Sequence, residues 1–182
     1  ATANRWAQVG WRKTSSMSTE NIFLQYHQSD NSSDYVTRYL NCASNTWGTT
    51  PACEPSSMLS YWVFYAPSTK VFEFRVNGYA TYQTNNVGWT PDHFTNMGEI
   101  KEGDVSNQYT DKGRDHSPGH DSNRIHSENV MISYVNSGGW VSANLTRTDP
   151  STGKTMHYQK VEDVPGWPSQ NWFRIWDARC NE

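Results

Sequence analysis

Between residues 60 and 76 the chain carries two seven-residue runs rich in aromatic and β-branched residues, each closed by turn-forming residues, and the second alternates between an apolar and a partly charged face. Residues 60–66 read Ser-Tyr-Trp-Val-Phe-Tyr-Ala and residues 70–76 read Lys-Val-Phe-Glu-Phe-Arg-Val, with Pro67-Ser68-Thr69 between them and Asn77-Gly78 after them. Successive side chains of a strand point to opposite faces, so this pattern specifies antiparallel hairpins with one buried face. Phe72, Phe74 and Val76 share the face that must be buried; Val71, Glu73 and Arg75 share the other. The rest of the chain repeats the theme. Residues 5–12, 21–27, 34–40, 79–83, 154–161 and 171–176 are further strand candidates, and 129–135 with 139–145 read as a hairpin around Ser137-Gly138. No long stretch carries apolar residues at a 3.6-residue period between proper caps. Short strands at this spacing predict an all-β fold, an antiparallel two-sheet β-sandwich.

Composition agrees with that class. Only 35% of residues are hydrophobic, yet 14% are aromatic, with nine Trp and ten Tyr. The mean hydropathy is −0.85. A core must therefore be built from a few large rings, which suits strands better than a helix bundle. At 182 residues the expectation is a single domain over 1–182 with a real core. The tract 101–128 is poor in apolar residues and rich in Gly, Asp, Ser and His, and is predicted to be a long polar loop.

The net charge of −3, with no run of Lys or Arg, argues against a nucleic-acid or anionic-membrane partner. No apolar stretch is long enough to span a bilayer. The chain starts at Ala1 without Met, and we read it as a processed, secreted form, expected to be monomeric. In a secreted chain Cys42 and Cys53 would close a local loop across a Ser/Asn/Thr/Pro-rich segment, leaving Cys180. Pairing of Cys180 with either of the others stays open. Asn31-Ser32-Ser33 and Asn144-Leu145-Thr146 are glycosylation acceptors in a eukaryotic host.

Two segments about ninety residues apart carry the chemistry. Trp6-Ala7-Gln8-Val9-Gly10-Trp11 places Gln8 in an apolar, glycine-flanked strand. Alternation puts Gln8 on the side of Trp6 and Gly10, opposite Ala7, Val9 and Trp11. That side is either a concave, ligand-facing surface or an ordinary outer face. Val87-Gly88-Trp89-Thr90-Pro91, followed by Met97-Gly98-Glu99-Ile100, places Glu99 similarly. A carboxylate and an amide sharing a partly desolvated site can activate water and hold an oxyanion.

These segments resemble the neprosin-type glutamic peptidases and, more distantly, the fungal glutamic peptidases, which are also β-sandwiches. Ala7-Gln8-Val9-Gly10-Trp11 is similar to the first family motif, in which a catalytic Glu precedes Val-Gly-Trp; here that position is Gln8. Val87-Gly88-Trp89-Thr90-Pro91 with Phe94-Thr95 resembles the Val-Gly-Tyr-Trp-Pro and Leu-Phe-Thr stretch, and Gly98-Glu99-Ile100 the motif bearing the second catalytic Glu. Pro118-Gly119-His120 looks like the Gly-Ser-Gly-His turn, and Cys42 and Cys53 fall where neprosins have a local cysteine pair. The fungal enzymes use a Gln/Glu dyad, so the resemblance implies an acid-active endopeptidase acting on polypeptide substrates without a cofactor. Gln8 and Glu99 would be its catalytic residues, with Trp6, Trp11, Trp89 and His120 lining the cleft.

Other chemistries fit less well. His116, His120 and His126 resemble a metal-ligand cluster, but Pro118-Gly119 forbids the helix that a zincin motif needs, and a polar loop with no metal is expected. There is no Gly-x-Ser-x-Gly elbow. Glu73 could be nominated with Glu99 as a glycosidase pair, but it pairs more simply with Arg75 on an exposed face. The rival class is a non-catalytic carbohydrate-binding sandwich, with exposed Trp6, Trp89 and Trp140 stacking on sugars.

Overall fold

The computed structural model describes residues 5–12, 17, 20–31, 33–54 and 59–92 in full, together with the backbone of 125–127, 131–133, 140–142, 159–163 and 173–177. The chain divides into two compact units, Ala1–Phe94 and Thr95–Glu182.

The first unit is an antiparallel sandwich. Its larger sheet runs in the order β1 (Ala7–Arg12), β2 (Asn21–His27), β3 (Tyr35–Asn41), β4 (Thr46–Gly48), each pairing antiparallel with the next. The smaller sheet is β5 (Tyr61–Ala66), β6 (Val71–Val76), β7 (Tyr82–Gln83), again antiparallel. No described residue is helical. The turns follow from their residues. Thr69 and Lys70 both donate their backbone N–H to the Ala66 carbonyl, with Lys70 at φ 54°; Gly78 takes φ 78° in the next turn, a backbone conformation that side chains disfavour.

The two sheets bury the faces that alternation assigns. Leu24 and Tyr26 from β2 meet Phe72 and Phe74 from β6, closed by Val87 and Trp89 from the segment after β7. A second cluster joins Ile22, Leu40, Cys53 and Val76. Aromatic rings supply most of the contact. Phe72 lies 4.9 Å from both Tyr65 and Trp89, and Tyr26 lies 5.9 Å from Phe74. Phe74 is fully buried, a burial that contributes on the order of 2–3 kcal/mol. The hydroxyls of Tyr26 and Tyr82 bond each other at 3.0 Å, which satisfies both polar ends inside this packing.

Cys42 and Cys53 form a disulfide with Cα atoms 5.1 Å apart. It ties the end of β3 to a segment that hydrogen-bonds β2. The Cys53 carbonyl accepts from Ile22 N–H, and Cys53 N–H donates to Asn21 Oδ1. Strand β4 lies inside this loop, where the composition reads as pure loop. Its Trp47 turns inward and donates Nε1–H to the Ala80 carbonyl at 2.7 Å. A three-residue strand is too short for alternation to reveal.

The second unit contains β8 (Ile125–Ser127), β9 (Met131–Ser133), β10 (Trp140–Ser142), β11 (Gln159–Asp163) and β12 (Phe173–Asp177). β9 and β10 pair antiparallel, as the hairpin pattern around Ser137-Gly138 predicts, and β11-β12-β8 form an antiparallel three-stranded sheet. The tract 101–128 lies outside the described residues except at its end, where 125–127 form β8 instead of loop. Ile125 aligns with Ile175 and Ser127 with Phe173. Here pairing with β12, invisible locally, makes the strand.

Candidate functional site

β2 is one of the two inner strands of the four-stranded sheet. It pairs with β1 on one side and β3 on the other, and all seven of its residues are buried. Ile22, Leu24 and Tyr26 face the sandwich core, which leaves Phe23, Gln25 and His27 on the opposite side of the sheet. Register turns that side into ordered rows. Gln8 lies opposite Gln25, which lies opposite Thr37; Gly10 lies opposite Phe23, which lies opposite Tyr39; His27 lies opposite Tyr35. Trp6 continues the last row, since its carbonyl accepts from His27 N–H at 3.1 Å.

The central row is a hydrogen-bonded amide chain. Gln25 Oε1 accepts from Trp6 Nε1 at 2.9 Å and from Gln8 Nε2 at 3.0 Å, while Gln25 Nε2 donates to Thr37 Oγ1 at 2.8 Å. Its polarity is determined chemically. An indole N–H can only donate, so the Gln25 atom facing Trp6 must be the oxygen. The Gln8 atom facing that same oxygen must then be its NH2. One hydrogen of Gln8 Nε2 is spent on Gln25, and the second has no acceptor among the described residues. Gln25 is only 9% exposed, whereas Gln8 is half-buried, so the anchor sits deep and the amide it orients sits at the surface.

An aromatic row flanks the amides on one side. The Trp6 ring stands edge-on to His27 at 4.2 Å and lies 6.1 Å from Tyr35 at a 37° tilt. Trp6 and Tyr35 are 37% and 51% exposed, while His27 beneath them is fully buried. His27 Nδ1 is 3.3 Å from the Asn31 carbonyl, which can only accept, so Nδ1 carries the proton. Nε2 is buried and has no hydrogen-bond partner among the described residues. On the other side stand Phe23 and Tyr39, with the Arg12 guanidinium 5.3 and 5.8 Å from their ring centres.

Of the residues singled out in the sequence, Gln8 and Trp6 are brought together, both bonded to one oxygen of Gln25. Trp11 aligns with Ile22 and so lies on the opposite, inward side with Ala7 and Val9. Trp89 is in the core. It is 5% exposed, packs on Phe72, and donates Nε1–H to the His27 carbonyl at 3.0 Å. Its ring therefore holds the sandwich together instead of lining a surface, and a glycine-flanked Trp outside a strand has no alternation to reveal this. Glu99, His116 and His120 lie outside the described residues, and His126 falls within β8. Glu73 accepts from Arg75 Nε at 2.5 Å and from Gln83 Nε2 at 2.6 Å, as a surface carboxylate would. These bonds, Gln83 first, hold its carboxyl below the usual range against an opposing desolvation.

Gln25, Thr37 and Tyr35 were not singled out from the sequence. Each sits in a strand that was predicted, but only the register across strands aligns them with Gln8. No family model, curated protein or solved structure matches this chain.

Proposed function

We propose that the protein is a secreted glutamic-type endopeptidase in which Gln8 stabilises the oxyanion and Glu99 acts as general base and acid. The observation that supports this reading is the amide orientation of Gln8. Gln25, pinned by the donor-only indole of Trp6, keeps the Gln8 NH2 as the group available to a ligand on that face. In the reaction the Glu99 carboxylate takes a proton from water, and the water oxygen bonds the peptide carbonyl carbon. The carbonyl oxygen becomes an oxyanion and accepts the free hydrogen of Gln8 Nε2. Protonated Glu99 then passes its proton to the peptide nitrogen as the C–N bond breaks, leaving a carboxylic acid and an amine. The Cys42–Cys53 disulfide is in keeping with an oxidising, extracellular setting.

Cleavage of an unfolded protein from about pH 3 to 7 tests this. Wild type is compared with Glu99→Gln and Gln8→Ala, with and without EDTA. Acid-active, EDTA-resistant cleavage that both substitutions abolish is expected; cleavage that survives Glu99→Gln refutes the dyad. A second reading has its own observation. Exposed Trp6 and Tyr35, tilted and adjacent, form a surface on which a sugar ring can stack. Retention on insoluble polysaccharide at neutral pH, without cleavage by wild type, would favour a carbohydrate-binding module.

A further inference from the structure

Gly10 is an unexpected residue in the middle of β1. It is absent from the positive-φ glycines, so its backbone does not require glycine, and glycine weakens a strand interior. Glycine there marks a place where something approaches the sheet closely. A Cβ built on Gly10 meets no atom of the described residues within 4 Å, so these residues leave the space above it open. That space adjoins Gln8. The two residues share a face and stand two positions apart, about 7 Å along the strand. Phe23 lies opposite Gly10, Tyr39 lies beyond Phe23, and the Arg12 guanidinium covers both rings from the next position on that face.

Building on the peptidase reading of Gln8, we propose that the space over Gly10 is a subsite for an aromatic side chain on one of the two residues joined by the scissile bond. The distance suits it. A peptide carbonyl on Gln8 Nε2 carries its neighbouring side chain several ångströms along the strand, which brings a ring over Gly10. The surface suits it as well, since Phe23 and Tyr39 form a buried aromatic floor and the Arg12 guanidinium over them offers a planar cation for stacking. Gln8 then reads the carbonyl while the gap at Gly10 selects which carbonyl arrives.

The test fills the gap. Gly10→Ala adds only the Cβ that the structure accommodates, and Gly10→Val adds bulk with better strand propensity. Two peptides differing only in Phe or Ala beside the cleaved bond are compared. Wild type should prefer Phe by roughly tenfold to a hundredfold in kcat/KM, and Gly10→Val should lose that preference, its kcat/KM falling further on the Phe peptide than on the Ala peptide. An unchanged preference, or an equal loss on both peptides, overturns the subsite while leaving the dyad intact. If wild type cleaves neither peptide, the peptidase reading fails, and the subsite is decided by NMR. N-acetyl-phenylalaninamide should then shift the Gly10 amide resonance of wild type more than N-acetyl-alaninamide does, and Gly10→Ala should weaken the response. Equal shifts from both probes overturn the subsite.

Discussion

Gln25 is the residue on which the orientation of Gln8 depends, and a double-mutant cycle measures that dependence. Gln25→Leu keeps the volume and removes three hydrogen bonds, to Trp6, Gln8 and Thr37. Neutral hydrogen bonds contribute about 0.5–1.5 kcal/mol each in net terms, so full loss would cost up to about 4.5 kcal/mol. Trp6 and Gln8 are reachable by water and can be rehydrated, and the Leu side chain adds apolar burial. We therefore expect a destabilisation of about 1–3 kcal/mol. The sharper quantity is the coupling with Gln8→Leu, which isolates the single 3.0 Å bond between the two amides and should be about 0.5–1.5 kcal/mol. Urea unfolding of the four proteins, followed in parallel by fluorescence and far-UV circular dichroism, supplies it if the transitions coincide and m is constant. Where the protein cleaves peptide, Gln25→Leu should lower kcat with little change in KM, by less than the 10²–10³ expected for removing an oxyanion donor outright. Strict additivity, within about 0.3 kcal/mol, would mean that Gln25 does not hold Gln8 and would refute the reasoning.

The disulfide closes a loop with a sequence separation of 11, and the loop-entropy relation places its contribution at about 3 kcal/mol. Replacing Cys42 and Cys53 together by Ala should lower the urea midpoint accordingly, and a loss below about 1 kcal/mol would show that the bond constrains little beyond what the Asn21 and Ile22 contacts already hold. Glu73 has its carboxyl held below the ordinary 4.5 by Gln83 and Arg75, so its contribution is present above that value and fades as pH falls through the lower folded value. Wild type should be more stable than Glu73→Gln at pH 7, by a margin that narrows on acidification; a margin that widens would contradict the assigned sign.

Alternation was the reliable guide wherever a strand was long enough to display it. Residues 21–27 form a strand with those bounds, and Phe72, Phe74 and Val76 all turn into the core. The same rule put Gln8 on the side away from Ala7 and Val9, which register with β2 bears out. It fell silent for the three-residue β4 and β8, whose strand character comes from their partners. It was silent as well for Trp89, which the motif-based reading set in a cleft. The apolar ring is drawn into the core between Phe72 and the end of β2, where its N–H finds the His27 carbonyl. Gln25 was hidden for a different reason. A lone Gln in an apolar strand gives no local sign of its partners, because these lie on two other strands and meet it only through register.

That hidden residue explains how a half-buried amide on an outer strand can be held in one orientation. Among the described residues β1 is at the edge of its sheet, hydrogen-bonded to a neighbouring strand of that sheet on one side only, whereas β2 is paired on both sides and buried along its whole length. A reactive side chain on an edge strand gains access to ligand but loses the packing that would fix its rotamer. The amide chain through Gln25 to Thr37 restores the lost constraint by tying Gln8 to two inner strands. β1 thus divides its work by alternation. Ala7 and Val9 anchor it to the core, Gln8 presents a donor whose direction is set from β2, and Gly10 gives up a side chain to keep the adjoining space open. Preorganisation of this kind requires the supporting group to be more rigid than the group it supports, and the gradient from buried Gln25 to half-buried Gln8 has that direction.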